Sequence, residues 1–303
     1  MLLALVTGAL ALASIQQTDT TVAVGRGQRL EVNAYGGQIN VNAWNRNAVR
    51  VQANTSGRDR VEISSSATTL GVRTQGRHGP PSEVELEISA PPWMALSLAG
   101  VHTGVKVQGS QAPISVETVE GEVEVGGGSG LISLRSVQGG VSLHGARGRI
   151  SVNSVNEDVE VTKSTGDIMA ETVNGGITLD LVDASTVDVS TVNGDIEYNG
   201  PIRNGGRYSF STHNGDITLT VNEGTNANVA VSTFNGEFES EFEVPITGTR
   251  KGKGFNFILG TGSAQVTLES FQGTIQLIRP GGEKDRERER ERQREHEHDR
   301  EDR

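Results

Sequence analysis

A short phrase of residues recurs along this chain and would place groups with binding chemistry at regular intervals. Its clearest copies are Thr-Val-Asn-Gly-Gly-Ile from Thr172, Thr-Val-Asn-Gly-Asp-Ile from Thr191, Thr-His-Asn-Gly-Asp-Ile from Thr212 and Thr-Phe-Asn-Gly-Glu-Phe from Thr233. Its amide position forms the series Asn156, Asn174, Asn193, Asn214 and Asn235. The position two residues later carries an acid at Glu122, Asp158, Asp195, Asp216 and Glu237. If the copies stack on one another, the two series become two columns of polar side chains.

The acid column has the donor chemistry of a calcium site, because Ca²⁺ binds several carboxylate and carbonyl oxygens. Glycine replaces the acid at Gly140 and Gly176, which would relieve the repulsion between carboxylates at strand spacing. The chain lacks the dense Asp-containing nonapeptide of calcium-binding β-rolls. We therefore expect solvated turn acids in this column and assign no metal-binding residues.

The asparagine column fits a structural role at a corner of the chain. Asn tolerates a left-handed backbone and Gly needs no room for a Cβ atom, so Asn-Gly pairs favour tight corners or two-residue hairpin turns. Stacked asparagine amides can also hydrogen-bond to one another along the stacking axis. A ligand-binding polar column is the alternative interpretation, but we expect a structural corner column.

Acidic residues could also serve catalysis, since β-helix enzymes that cleave polysaccharides carry clustered acids with Arg, Lys or His on an outer face. Asp180, Asp183 and Asp188 lie close in sequence and could share a face with Glu171. The histidines are scattered, and the sequence contains no nucleophile elbow, phosphate loop or His-rich ligand spacing. We assign no catalytic or cofactor-binding residues and expect no enzyme. A polysaccharide lyase or hydrolase of the β-helix type is the alternative.

The spacing of the phrase indicates the elements that position these columns. Its central residue recurs every 18 residues from Val101 to Val173, after 19 at Val192 and after 21 at His213 and Phe234. A fixed period of this size is typical of solenoids, whose repeats bury apolar faces against their neighbours. Antiparallel hairpins at the Asn-Gly pairs are the alternative, and parallel pairing at the repeat offset would exclude them.

Period-2 alternation of apolar residues predicts strands throughout the body of the chain. We predict an all-β fold, a single elongated and β-helix-like β-solenoid of about ten rungs of about 18–21 residues. Each rung should have two short strands and one apolar corner residue, and His213 should be a half-buried corner residue. The inward positions should include Val116, Val119, Val123, Val137, Val141, Val155, Val159, Val173, Ile177, Val192, Ile196, Phe234 and Phe238.

The solenoid should occupy residues 20–279. Residues 20–95 keep the strand alternation without the period and should form a strand-rich N-terminal cap, while regular rungs should fill residues 96–279. A Gly- and Lys-rich segment at residues 248–254 predicts an inserted loop, the only notable basic feature of the body. The final copy of the phrase, at residues 271–277, should close the stack.

The chain ends and the composition bear on location and partners. Residues 1–14 hold an apolar run that ends in small residues, as in a secretory signal peptide, and the run is too short to span a bilayer. Residues 283–303 form a low-complexity Arg/Glu tail, for which we predict disorder. The formal net charge of −11 disfavours nucleic acid as a partner, and 0 cysteines exclude disulfides and thiolate metal sites. We expect no cofactor and no transmembrane segment in the mature chain.

The apolar leader, the repeated Thr-Val-Asn-Gly-Asp-Ile and the late rung at residues 262–275 occur together. With them occur Val-Asn-Ala-Trp at 41–44, Val-Arg-Val at 49–51 and the strand at 84–91. This combination resembles a bacterial exported β-strand-repeat family of unknown function, often labelled putative adhesin, over about residues 20–279. The resemblance implies a β-solenoid at the bacterial envelope or outside it, with no catalytic residues to carry over. We therefore predict an exported interaction or adhesion scaffold, periplasmic, outer-surface or extracellular, with an unknown protein or glycan as its partner.

Overall fold

The computed structural model of the protein describes residues 16–55, 59–76, 79, 81, 83–244 and 254–282. Regular structure in these ranges consists of β-strands. None of the described segments forms an apolar helix of the length that crosses a membrane. The predicted signal peptide and the predicted disordered tail lie outside the described residues, as does most of the inserted loop at 248–254.

The strands are numbered in chain order. They are β1 (Gln16–Ala23), β2 (Arg29–Ala43), β3 (Ala48–Thr55), β4 (Asp59–Ser65), β5 (Thr69–Gly76), β6 (Val84–Ala90), β7 (Ala95–Ser110), β8 (Ile114–Glu117), β9 (Val123–Gly127), β10 (Ser129–Arg135), β11 (Val141–His144), β12 (Arg147–Asn153), β13 (Val159–Thr162), β14 (Thr165–Glu171), β15 (Ile177–Asp180), β16 (Asp183–Asn193), β17 (Ile196–Asn199), β18 (Arg207–Asn214), β19 (Ile217–Thr220), β20 (Ala227–Thr233), β21 (Phe238–Ser240), β22 (Phe255–Leu259), β23 (Ala264–Gln272) and β24 (Ile275–Ile278).

The strands stack into a solenoid with two faces, as the period predicts. The even-numbered strands from β8 to β18 pair side by side along one face, and the odd-numbered strands from β9 to β19 pair along the other. All of these pairings are parallel, and Ile132 of β10 aligns with Ile150 of β12 and Ile168 of β14. The solenoid prediction is confirmed, and the antiparallel-hairpin alternative is wrong.

The core lies between the two faces and consists mainly of Val, Ile and Leu. Alternate residues point inward, so that Ile150 and Val152 of β12 are buried whereas Arg149 is exposed. Burial of one such aliphatic side chain stabilises the fold by about 1.5–3 kcal/mol. The predicted inward residues that are buried are Val116, Val123, Val141, Val159, Ile177 and Ile196.

Antiparallel strands close the N-terminal end of the stack. β2 pairs along most of its length with β7, and its other edge pairs in parallel with β5 on one face and β6 on the other. Outside these, β4 pairs antiparallel with β5, β3 with β6 and β1 with β3. Strand-rich sequence thus covers the edges that the parallel faces would otherwise leave free, as the predicted cap requires.

The C-terminal end does not follow the predicted order of rungs. β23 and β24 stack directly on β18 and β19, and β20 and β21 then stack outside them. The prediction that residues 271–277 close the stack is therefore wrong. The cause is β22, which runs antiparallel along the outer edge of β20 and returns the chain to the start of a rung. Phe255 and Phe257 of β22 contact Phe238 of β21 and cover the core at this end.

The corner residues of the phrase point outward, which corrects a second prediction. The corner residues predicted to point inward that are instead exposed or only half-buried are Val119, Val137, Val155, Val173, Val192 and Phe234. Phe238, also predicted to point inward, is half-buried and packs against the core. His213, predicted to be half-buried, is exposed. The residue that precedes the corner takes the inward position in most rungs, and Thr118, Ser136 and Thr172 are buried there. A hydroxyl is favoured at this place because it can hydrogen-bond to the main chain at the turn, whereas an aliphatic side chain cannot.

Candidate interaction surface

The buried hydroxyls tie most rungs to the preceding one. The Oγ1 atom of Thr191 donates a hydrogen bond of 3.0 Å to the carbonyl of Gly175, and Thr212 Oγ1 donates one of 3.0 Å to the carbonyl of Gly194. The same bond to the rung before is made by Thr118, Ser136, Ser154, Thr172 and Ser270. The hydroxyl position of the phrase is thus occupied by a structural hydrogen bond.

The asparagine column forms a ladder of amides along the solenoid axis. Asn174 Nδ2 donates to Asn156 Oδ1 at 3.1 Å, Asn193 Nδ2 to Asn174 Oδ1 at 2.9 Å and Asn214 Nδ2 to Asn193 Oδ1 at 2.8 Å. Gln272 follows Asn214 because β23 lies next to β18. Asn235, on the outermost rung, therefore stacks beyond Gln272 and is separated from the other asparagines of the column.

The glycine and acid positions are also constrained by the neighbouring rung. A Cβ atom on Gly194 would overlap the carbonyl of Gly175. In the acid column, Asp195 Oδ1 accepts a hydrogen bond of 2.7 Å from the backbone N–H of Asp216, and Asp216 Oδ1 accepts one of 2.6 Å from Thr274. Asp158 Oδ1 accepts from the Gly176 N–H at 2.6 Å. Within the described part of the chain no equivalent bond forms at Glu122 or Glu237, which are exposed.

The corner position has no such structural bond and presents its side chain to solvent. Aligned from the N-terminal end, the corner side chains form what we name the corner stripe: Tyr35, Val101, Val119, Val137, Val155, Val173, Val192, His213, Phe271 and Phe234. Val173 is 40% exposed and Phe234 57% exposed. At a strand spacing of about 4.8 Å, the stripe is about 43 Å long. The solenoid thus carries a continuous, narrow apolar line beside the amide ladder.

Three aromatic rings end the corner stripe. The His213 and Phe271 rings stack with centroids 4.6 Å apart and planes 8° apart, and the Phe271 and Phe234 rings with centroids 4.9 Å apart and planes 5° apart. These distances match the strand spacing, so each ring belongs to one rung of the stack. A groove of about 310 Å³ runs beside the rings, lined by Thr191, Ser211, Thr212, His213, Ser232, Phe234, Glu269, Ser270 and Phe271. We name these three rings and their groove the aromatic end.

The acids considered for catalysis do not converge. Asp188 and Glu171 lie exposed on the outer side of the neighbouring strands β16 and β14. Asp180 lies on the other face, where its Oδ1 accepts a hydrogen bond of 2.8 Å from Asn199 Nδ2. The described residues hold no group of three or more His, Cys, Asp or Glu side chains that could bind a metal ion.

Asp183 forms an ion pair with Arg203 between neighbouring rungs. Arg203 donates from Nε and Nη2 to its two carboxylate oxygens at 2.5 Å each. The hydrogen bonds from this guanidinium hold the pKa of Asp183 below its usual value. Beside the pair, burial raises the pKa of Tyr208, whose hydroxyl donates to the Ala184 carbonyl at 2.7 Å and accepts from the Arg203 N–H at 2.8 Å.

Sequence reasoning missed the corner stripe, although one signal was present. A slot that holds Val in several rungs holds His213 and Phe271 in others, and a core position rarely accepts this range of polarity and size. The position before the corner varies less, because it holds only Thr or Ser in the copies from Thr118 onward. Tyr35 joins the stripe from β2, which precedes the regular period and pairs with β7.

Solved structures that match this chain share little sequence with it. A protein described as a putative adhesin from Bacteroides fragilis NCTC 9343 is 13% identical, with a TM-score of 0.43, over 88% of this chain and 99% of that chain. A putative adhesin from Parabacteroides distasonis ATCC 8503 is 13% identical, with a TM-score of 0.38, over 87% and 97%. No curated protein matches the sequence. The Toastrack DUF4097 family matches residues 5–278, so the chain belongs to that family.

Proposed function

We propose that this protein is an exported, non-catalytic interaction scaffold of the adhesin type, and that the corner stripe is the surface through which it binds a protein or glycan partner. The observation that carries this proposal is the outward orientation of an apolar side chain at the corner of successive rungs. In most rungs the other positions of the phrase hydrogen-bond or pack within the stack, whereas the corner side chain is available for contact.

The shape of the corner stripe suits the recognition of an extended partner. A continuous apolar patch with a polar border is the usual mark of an interaction surface on a soluble protein. Here the border on one side is the amide ladder, whose outer members can hydrogen-bond to a partner. The line is narrow, so a partner must follow it along the axis to bury a substantial area.

The aromatic end is the best candidate for the energetic centre of this surface. Aromatic side chains dominate binding energy at interfaces because they bury a large area with little loss of conformational freedom. Phe234 and Phe271 are 57% and 40% exposed and line the groove of about 310 Å³. A partner that fills this groove would contact the ring edges, the hydroxyls of Ser211 and Ser232 and the Glu269 carboxylate.

The leader and the composition support export. Residues 2–13 form an almost purely apolar run followed by Ser14, which is the pattern of a secretory signal. A chain with 0 cysteines gains no stability from disulfides outside the cell, so the hydrogen-bonded stack must hold the fold.

The test compares the mature protein with two double-Ser variants in glycan-array and pull-down assays. The variant Phe234→Ser with Phe271→Ser removes two rings of the aromatic end. The control variant, Leu131→Ser with Ile258→Ser, removes side chains that are 59% and 60% exposed elsewhere. We expect at least about a tenfold loss of binding in the first variant only, equivalent to about 1.4 kcal/mol. Equal binding by both variants would contradict the role of the stripe, and depolymerase activity abolished by single acidic substitutions would support the enzyme alternative.

A further inference from the structure

The chain contains a set of Asn-Gly pairs, and their hydrogen bonding differs from one place in the stack to another. The pairs begin at Asn174, Asn193, Asn199, Asn204, Asn214 and Asn235. Asparagine is a thermolabile residue. It is most labile before glycine, because the missing side chain leaves the glycine nitrogen unhindered. The same reactive dipeptide therefore occurs in several different environments within this protein.

The reaction in question is deamidation. The backbone nitrogen of the glycine loses its proton and attacks Cγ of the asparagine, which forms an N–Cγ bond and a cyclic succinimide. The Cγ–Nδ2 bond breaks and ammonia leaves. Water then opens the succinimide at either carbonyl and yields aspartate or isoaspartate. The reaction needs a glycine N–H that can lose its proton and an asparagine side chain that can turn toward it.

In the pairs inside the stack, neither the glycine N–H nor the asparagine side chain is free to react. The N–H of Gly194 donates to the Asn214 carbonyl at 3.0 Å, and the side chain of Asn193 is held in the amide ladder on both sides. The N–H of Gly175 donates to the Asn193 carbonyl at 2.9 Å, and that of Gly215 to the Gln272 carbonyl at 2.9 Å. Attack by these nitrogens requires that two neighbouring rungs separate.

The outermost rung lacks these restraints. Among the described residues no rung stacks beyond Asn235 and Gly236, and there the Gly236 N–H has no acceptor and the Asn235 side chain has no hydrogen bond. Asn235 is also exposed to water, the second reactant. Asn199 and Asn204 lie between the two cases, because the Asn199 amide donates to Asp180 and the Asn204 oxygen accepts from Ser263 Oγ, each at 2.8 Å.

We propose that the Asn235–Gly236 pair is the intrinsic deamidation site of this protein, and that the stack protects the pairs at Asn174, Asn193 and Asn214. Conversion of Asn235 places a new carboxylate next to Phe234, at the exposed tip of the aromatic end. Isoaspartate would also lengthen the main chain of the outermost rung. The reaction thus changes the charge of one end of the molecule with age while the rest of the amide ladder stays intact.

The experiment measures deamidation at every Asn-Gly pair in the full chain, in buffer and in urea. The protein is incubated at mildly alkaline pH, digested at acidic pH to suppress new reaction, and mapped by mass spectrometry. In the folded protein we expect Asn235 to convert at least about tenfold faster than Asn174, Asn193 and Asn214, since their reaction waits for local opening of the stack. In urea the rates at these four pairs should converge.

A single substitution tests the assignment of Asn235, and three results would overturn it. Asn235→Gln should abolish the early charge change seen by ion exchange without altering the unfolding transition. Equal folded-state rates at Asn193 and Asn235, or a faster rate at Asn204 than at Asn235, would contradict the proposal. A rate difference that persists in urea would also contradict it, because the cause would then lie in the local sequence.

Discussion

The middle of the solenoid and its C-terminal end use the same phrase under different conditions. In the middle, each hydroxyl, amide and acid finds its partner in the adjacent rung, and the corner side chain is a valine such as Val173. At the end, the outermost rung has another rung on one side only, with β22 along part of its other edge, and rings stack at the corner instead. All 7 phenylalanines of the chain lie between Phe210 and Phe271, in this last part of the molecule. A repeat protein of this kind closes its stack with side-chain packing where hydrogen-bond partners run out.

The largest difference in stability between the two regions should come from replacing a glycine in the middle of the solenoid. In Gly194→Ala the new Cβ meets the Gly175 carbonyl with rungs on both sides, so relief requires movement of the stack. We expect a loss of about 3 kcal/mol in the free energy of unfolding, measured by urea titration. Gly236→Ala makes the same contact with Gly273 but can move outward, so it should cost roughly half as much.

The control for this pair is Gly25→Ala. A Cβ atom there has no neighbour within 4 Å, and the change should alter stability by less than about 0.5 kcal/mol. Equal losses for Gly194→Ala and Gly236→Ala would show that the outermost rung is as tightly held as the middle of the solenoid.

A second contrast concerns the corner residues themselves. Phe271 stacks on both His213 and Phe234, whereas Val173 projects from the surface at 40% exposure. Aromatic pairs contribute about 0.5–1.5 kcal/mol beyond their buried area, so Phe271→Ala should cost about 2 kcal/mol. Val173→Ala should cost about 0.5 kcal/mol. Calorimetry of both variants checks the difference, and a larger loss for Val173→Ala would mean that the valine corners also support the stack.

Two threonines at the hydroxyl position of the phrase should change stability with opposite sign when each is replaced by valine. Thr191→Val removes the hydrogen bond to Gly175 and should destabilise the fold by about 1–1.5 kcal/mol. Thr233 occupies the same position on the outermost rung, but its buried Oγ1 finds no hydrogen-bond partner in the described part of the chain. Thr233→Val should therefore leave stability unchanged or raise it by up to about 1 kcal/mol. Destabilisation of similar size in both variants would indicate that chain packing, not the hydrogen bond, decides the residue at this position.

The same contrast explains which features could be predicted from the sequence. The alternation that buries Ile150 and Val152 is local, so strands and their repeat offset follow from the pattern alone. The outward turn of Val173 depends on the hydrogen bond that Thr172 makes to a carbonyl of another rung, and no local pattern shows that carbonyl. The order of β20 and β23 depends on β22, whose short apolar sequence resembles that of any other strand.

The smallest expected effect on stability is that of removing the ion pair between Asp183 and Arg203, which lies where the regular period ends. The pKa of Asp183 is lowered from 3.8 in the folded protein by the guanidinium, so the pair contributes stability above that pH. The contribution is lost as the pH falls through the lowered folded value, because the carboxylate then binds a proton in both states. The side chains are 39% and 55% exposed, so solvent screening limits the term to less than about 1 kcal/mol. Acid titration of the unfolding free energy should show a smaller decline below pH 3.8 in Asp183→Asn than in the wild type. An unchanged decline would contradict a stabilising role for the ion pair and would leave the hydroxyls of Tyr208 and Thr212 to hold the rung of β18 to its neighbour.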